Sequence, residues 1–126
     1  MKNLDWWRGL CERIDAKDTR AFVSYLTADA EFRFANGPSA IGHDAIGAAV
    51  DGFWASIRGS RHEIHRVWGD DASGVCEGTC TYTRLDGSTV TIPFVDVLYF
   101  RDGLAEKYYI YMDAAPLWAG PGTSEQ

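Results

Sequence analysis

The sequence predicts an α+β fold in which about three N-terminal helices close over a curved antiparallel sheet, forming a cone with a pocket inside. Three observations carry this. Helical periodicities all fall before Gly59-Ser60. Beyond that point the chain alternates apolar and polar residues in runs of strand length. Leu85-Asp86-Gly87-Ser88 and Arg101-Asp102-Gly103 are hairpin turn signals between those runs. Helices first and antiparallel strands afterwards place the helices on one face of a sheet.

Each element follows in order. Leu4 to Ala16 reads as a helix, with Asp5 as its N-cap and Trp7, Leu10, Cys11 and Ile14 at helical spacing. A second short helix runs from about Asp18 to Leu26, with Ala21, Phe22 and Tyr25 on its inner side. A short strand, Glu31 to Phe34, precedes the loop Asn36-Gly37-Pro38-Ser39. Gly42-His43 opens a third helix, Asp44 to Ile57, whose apolar stripe is Ile46, Val50, Phe53, Trp54 and Ile57. Four strands follow: His62 to Trp68, Gly74 to Arg84, Thr89 to Phe100 and Leu104 to Asp113. Residues 1–118 read as one domain and 119–126, rich in Gly, Pro and Ser, as a flexible tail.

Composition narrows the function. A chain of 126 residues with 46% hydrophobic content buries one core. The 13% aromatic content suits a core and also an apolar ligand pocket. A net charge of −6 argues against nucleic acid and against an anionic membrane surface. No stretch approaches the ~20 apolar residues of a membrane span, and the N-terminus lacks the apolar region of a secretory signal, so the expectation is cytoplasmic. Cys11, Cys76 and Cys80 are expected to be buried free thiols; Cys76 and Cys80 share a strand face too far apart to bond. No cluster of His, Cys, Asp and Glu has ligand spacing, so neither a metal nor another cofactor is expected.

Asp96 is the most informative residue. Ile92, Phe94, Asp96, Leu98 and Phe100 share one face of a strand, and all but Asp96 are large and apolar. A lone buried carboxylate costs several kcal/mol, so it is paired, hydrogen-bonded or held protonated. A carboxyl of that kind in a cavity is a candidate catalytic acid, the competing reading being a structural pairing with an arginine.

The segments Asp15-Ala16-Lys17-Asp18, Tyr25-Leu26-Thr27-Ala28-Asp29-Ala30, Gly42-His43-Asp44-Ala45-Ile46 and Pro93-Phe94-Val95-Asp96-Val97-Leu98-Tyr99-Phe100-Arg101-Asp102-Gly103 resemble the nuclear-transport-factor-2-like (cystatin-like) superfamily. Within it, they resemble the SnoaL-like polyketide cyclase and ketosteroid-isomerase group over about residues 4–118. That scaffold hosts isomerases, cyclases, dehydratases, epoxide hydrolases and non-enzymes, so the resemblance specifies fold better than reaction. It implies that Asp96 matches the isomerase aspartic acid that stays protonated and hydrogen-bonds the substrate oxyanion. The isomerase's general base falls on Phe34 and its oxyanion tyrosine on Leu10, so steroid isomerisation by that mechanism is not expected. In the epoxide-hydrolase relatives one catalytic acid falls on Ile110, which also departs from their pattern. The resemblance further implies that Tyr108, Ile110 and Met112 face inward. Tyr109, Tyr111 and Asp113 would then face outward, on the sheet surface where such proteins dimerise.

The remaining candidates carry competing readings. Arg33 pairs with Asp96 or an anionic substrate, or lies on the outer face; alternation against Phe32 and Phe34 favours the outer face. His62 and His65 lie on opposite faces of one strand, so a single site holds only one of them; His65 is assigned to the pocket. His43 reads as a solvated residue at the opening of the third helix. Trp7, Leu10, Phe34, Phe53, Trp54, Phe94, Ile110, Met112 and Trp118 are the expected pocket walls. Thr79, Thr81 and Thr83 share a strand face, as threonines commonly do.

These readings converge on a cofactor-independent enzyme of cyclase, isomerase or dehydratase type. It acts on a small, apolar, carbonyl-bearing compound, with Asp96, Tyr108 and His65 as its catalytic residues. The alternatives are a non-catalytic ligand-binding or dimerising module, and an epoxide hydrolase with rearranged acids. A homodimer through the outer sheet face is the expected assembly.

Overall fold

The computed structural model describes residues 1–119. The chain runs α1 (Leu4–Asp15), α2 (Thr19–Val23), β1 (Leu26–Phe34), β2 (Ala40–Ile41), α3 (His43–Ala55), β3 (Ile57–Gly69), β4 (Ser73–Arg84), β5 (Thr89–Arg101), β6 (Leu104–Tyr111) and α4 (Ala115–Ala119). The α+β class and the helices-then-strands order are those read from the sequence. The strands form one sheet in the order β2-β1-β6-β5-β4-β3.

Several local features differ from expectation. The N-cap of α1 is Asn3, whose side chain accepts a hydrogen bond from the Trp6 amide at 3.0 Å. Asp5 instead sits in the first turn, where its charge complements the helix dipole. β1 starts at Leu26, five residues before Glu31, because it pairs along β6, from Leu26 beside Ala105 to Phe34 beside Ile110. That pairing is parallel, so the sheet is mixed, with its other pairings antiparallel. His43 is no solvated cap: its Nε2 lies 3.0 Å from the Leu26 carbonyl oxygen.

The sequence offered no periodicity for α4. Arg84 holds this turn by donating from Nε to the Leu117 carbonyl at 3.0 Å and from Nη2 to that of Pro116 at 2.8 Å, while Leu117 is buried. Ala119 therefore belongs to a helix, and the rest of the expected tail, residues 120–126, lies outside the described residues.

Strand alternation sets the core. Cys76, Cys80 and Tyr82 of β4, Ile92, Phe94 and Leu98 of β5, and Ala105 and Tyr108 of β6 are all buried. Trp7, Leu10, Phe22, Ile46, Val50 and Trp54 from the helices meet them. Phe22 links the two layers, with ring centroids 5.8 Å from Phe32, 6.0 Å from Trp54 and 5.5 Å from Tyr108. The three cysteines are free and buried.

A β-bulge shapes the far edge. On β3, Ile64 pairs with Gly78 but Arg66 pairs with Glu77, so one residue is extra. Ser60, His62 and Ile64 tuck inward before it, His65 and Arg66 are both exposed, and Val67 turns back in. Such a bulge bends a strand and increases its twist, which wraps the sheet around the helices. Gly78 is required beside it, because a Cβ there would lie 2.1 Å from the Glu63 carbonyl oxygen. Among the described residues no helix is long and apolar enough to cross a membrane.

Candidate active site

The cone encloses a cavity of about 250 Å³. Phe22 from α2, Phe32 and Phe34 from β1, and Phe53 and Trp54 from α3 supply much of its wall. The sheet contributes Ser60, His62, Tyr82, Phe94, Asp96, Tyr108 and Ile110, with Met112 just beyond β6. Among the described residues, no lysine or arginine lines it.

Asp96 is 4% exposed and sits mid-sheet, opposite Cys76 on β4 and Ile110 on β6. Tyr108 donates its hydroxyl to Asp96 Oδ2 at 3.5 Å. Burial raises the Asp96 carboxyl to about 7, against the opposing pull of the His62 charge and the Tyr108 hydrogen bond. The acid therefore changes charge near neutrality. Tyr108 is fully buried between Phe22 and Phe32, each 5.5 Å away, and its phenol is held neutral by that burial and by the neighbouring acid.

A second ionisable unit faces the same space. Asp15, the last residue of α1, gathers three donors from β3: Ser60 Oγ at 2.8 Å, the His62 amide at 2.9 Å and His62 Nδ1 at 2.6 Å. Nδ1 thereby carries its hydrogen toward Asp15, and the ring itself lines the cavity. The imidazole is wedged against Phe94 at 5.3 Å, and the Cys80 sulfur lies 3.8 Å from Nδ1. Burial alone would lower the His62 pKa; the hydrogen bond and charge of Asp15, with a contribution from Cys80, instead raise it to about 10. Burial pushes the Asp15 carboxyl up, but the His62 and Ser60 hydrogen bonds outweigh it and hold the carboxyl below its ordinary value. An imidazolium backed by a carboxylate thus shares the pocket with an acid poised near 7.

The predicted site residues divide clearly by position. Asp96, Tyr108, Phe34, Phe53, Trp54, Phe94, Ile110 and Met112 line the cavity. Trp7 and Leu10 do not: both are fully buried outside the lining, with Trp7 edge-on to Trp6 at 5.2 Å. Trp118 is also outside, 57% exposed, its ring 6.1 Å from Phe53. His65 is displaced to the outer sheet face, in a shallow depression with Glu77, Thr79 and Tyr111. Counting by twos back from Val67 puts His65 inside, but the bulge shifts the phase, so the cavity receives His62. Arg33 lies outside over the Tyr109 ring at 4.7 Å.

Sequence reasoning missed Asp15, Ser60 and Tyr82 as site residues. Asp15 carried only a weak signal, being an acid one position after the core-facing Ile14 at a helix end. Among the described residues no group of three or more His, Cys, Asp or Glu is placed to hold a metal ion.

A family model described as a SnoaL-like domain matches residues 7–108. Among solved structures the chain is similar to an NTF2-like protein of unknown function from Burkholderia pseudomallei, at 22% identity and a TM-score of 0.82, covering 93% of this chain and 95% of that one. It is also similar to TerC, co-crystallised with polyporic acid, at 21% identity and a TM-score of 0.79, covering 89% and 92%. A Jannaschia protein described as a SnoaL-like polyketide cyclase aligns at 13% identity and a TM-score of 0.78, covering 90% and 86%. These likenesses are of fold. No curated protein matches the sequence.

Proposed function

The chain belongs to the SnoaL-like domain family, and from that premise we propose that it is an enzyme that moves protons on a small, apolar, carbonyl-bearing compound. The observation that carries this reading is the pairing of Asp96 with the Asp15-backed His62 across one aromatic cavity. Asp96 in its carboxylate form accepts the proton from the carbon beside the substrate carbonyl. The electron pair moves onto oxygen, and His62 Nε2–H hydrogen-bonds the enolate oxygen as its charge grows. Asp96 then returns the proton to another carbon, giving an isomerisation. In a cyclisation the enolate carbon instead attacks a second carbonyl, whose π electrons move to its oxygen, and that alkoxide takes the proton held by Asp96. In a dehydration the enolate expels hydroxide from the adjacent carbon, which leaves as water with the Asp96 proton. Acid, base and oxyanion donor all come from the chain, so the chemistry requires no cofactor.

This differs from the mechanism implied by the ketosteroid-isomerase likeness, where the corresponding aspartic acid is the oxyanion donor. Here the cation at His62 makes the carboxylate the natural proton acceptor, and it takes over the task for which Phe34 lacks a functional group. A general base of pKa near the working pH contributes about 10²–10⁴-fold. The test is hydrogen–deuterium exchange beside the carbonyl of 2-tetralone in D2O, followed by NMR. We expect exchange above the buffer rate, falling by at least about 100-fold in Asp96→Asn. Binding of 2-tetralone without accelerated exchange would instead identify a ligand-binding module.

The reading includes a homodimer through the outer sheet face. Trp68, Tyr99 and Tyr111, at 43%, 43% and 47% exposure, lie on that face around Val97, and aromatic surfaces of this kind are enriched at interfaces. Sedimentation equilibrium should give twice the 14.0 kDa chain mass. Val97→Glu should return the chain to a monomer; a monomeric wild type would refute the dimer.

A further inference from the structure

Tyr82 is a buried phenol that neither the acid–base pair nor the family likeness accounts for. It is 3% exposed, lines the cavity, and packs edge-on to Phe53 at 5.9 Å. Its hydroxyl donates to the thioether sulfur of Met112 at 3.8 Å, a weak acceptor. A buried tyrosine hydroxyl ordinarily finds an oxygen or nitrogen partner. This one, in an aromatic cavity, meets the sulfurs of Met112 and Cys80, both weak acceptors, and is a donor still available to a better one.

The sheet register fixes where that donor lies relative to the reacting groups. Asp96 is opposite Cys76, His62 is opposite Cys80, and Ser60 is opposite Tyr82. Cys76, Cys80 and Tyr82 share the inner face of β4, so the cavity meets three rows in turn: Asp96, then His62, then Tyr82. The outer rows are six residues apart, roughly 20 Å of strand, a gap shortened by the inward reach of the side chains. Between the outer rows the lining is apolar apart from the His62 and Ser60 side chains, and among the described residues no lysine or arginine lines the cavity to attract a second, anionic group at the Tyr82 end.

We infer that Tyr82 is a second substrate anchor, and that the substrate is a flat, uncharged compound with two separated oxygen functions. One oxygen is held between Asp96 and His62, and the other, a carbonyl, accepts a hydrogen bond from the Tyr82 hydroxyl in place of the Met112 sulfur. This rests on the proton-transfer reading for the first oxygen and adds the second.

The experiment compares two probes by isothermal titration calorimetry: 2-naphthol, with one oxygen, and 6-hydroxy-2-naphthaldehyde, which adds a carbonyl at the far end. Wild type should bind the aldehyde about 5-fold tighter, as expected for one neutral hydrogen bond. Tyr82→Phe, which keeps the ring, should erase that preference and leave 2-naphthol affinity within about twofold. Met112→Leu removes one of the two competing sulfurs and should increase the preference. Equal weakening of both probes in Tyr82→Phe, no preference in wild type, or no binding of either probe would overturn the anchor. Absence of 2-tetralone exchange with the Tyr82-dependent preference intact would sink the reaction alone.

Discussion

Replacing Asp96 with asparagine should stabilise the fold above neutral pH while removing proton transfer. The carboxyl is held at about 7 in the folded chain against an ordinary 3.8, chiefly by burial. A raised acid pKa means that the folded state binds the proton more tightly than the unfolded chain. The associated stability is fully present below about pH 4 and is lost as pH rises through about 7. A tenfold difference in proton affinity between the folded and unfolded chain corresponds to about 1.4 kcal/mol, so the cost of ionising Asp96 approaches about 4 kcal/mol at pH 8. Asparagine carries no charge to desolvate, although its amide gains only the Tyr108 hydroxyl as a partner. Urea unfolding at pH 5 and pH 8 should show the variant gaining on wild type by about 2–3 kcal/mol across that interval. Parallel curves would mean that Asp96 titrates normally and would remove the poised acid from the mechanism. A gain in stability with a loss of chemistry is the trade expected of a group kept in an unfavourable environment for its function.

Breaking the Asp15–His62 contact should have the next largest effect. Asp15→Ala leaves His62, the Ser60 hydroxyl and the His62 amide without their shared acceptor. Removing one partner of a fully enclosed ion pair costs about 3–5 kcal/mol; with a quarter of the Asp15 side chain exposed, about 2–3 kcal/mol is expected. The His62 pKa is raised in the folded chain, so its stabilising contribution is present below its ordinary 6.5 and is lost as pH rises through about 10. The loss in Asp15→Ala should therefore be greatest near pH 6 and shrink toward pH 10. In the same variant, ring-proton NMR should show His62 titrating well below the wild-type value of about 10, since burial then opposes only the remaining Cys80 contribution. Asp15→Glu should recover part of the rise. An unchanged His62 titration would mean that the imidazolium owes nothing to Asp15, and the oxyanion-donor role would lose its support.

Both effects depend on groups that the sequence revealed unequally. Asp96 was legible because a carboxyl interrupts an otherwise apolar strand face, and side-chain alternation is a local property of an extended backbone. The inward set Phe94, Tyr108, Ile110 and Met112 lines the cavity in agreement with its strand phase and the family likeness. His62 was not legible as the pocket histidine, because one extra residue between Ile64 and Arg66 reverses the phase of β3. Trp7 and Leu10 share the inner face of α1 with Ile14, but only Ile14 reaches the cavity lining. Helical periodicity identifies the buried side of a helix and cannot say where along it the core gives way to open space.

The sequence by itself determined the order of elements, the α+β class, the inner faces of the long strands and the anomalous acid among them. These follow from interactions within a few residues: periodicity, turn chemistry and the cost of burying a charge. The tertiary structure alone decided that β1 runs parallel to β6, that Arg84 pins α4, and that the end of α1 meets β3. The last contact joins Asp15 to His62 across 47 positions of chain and turns an ordinary imidazole into a cation facing Asp96. Desolvation and charge pairing act through space, so the ionisation that gives this pocket its chemistry exists only once the distant strands and helices have closed around it.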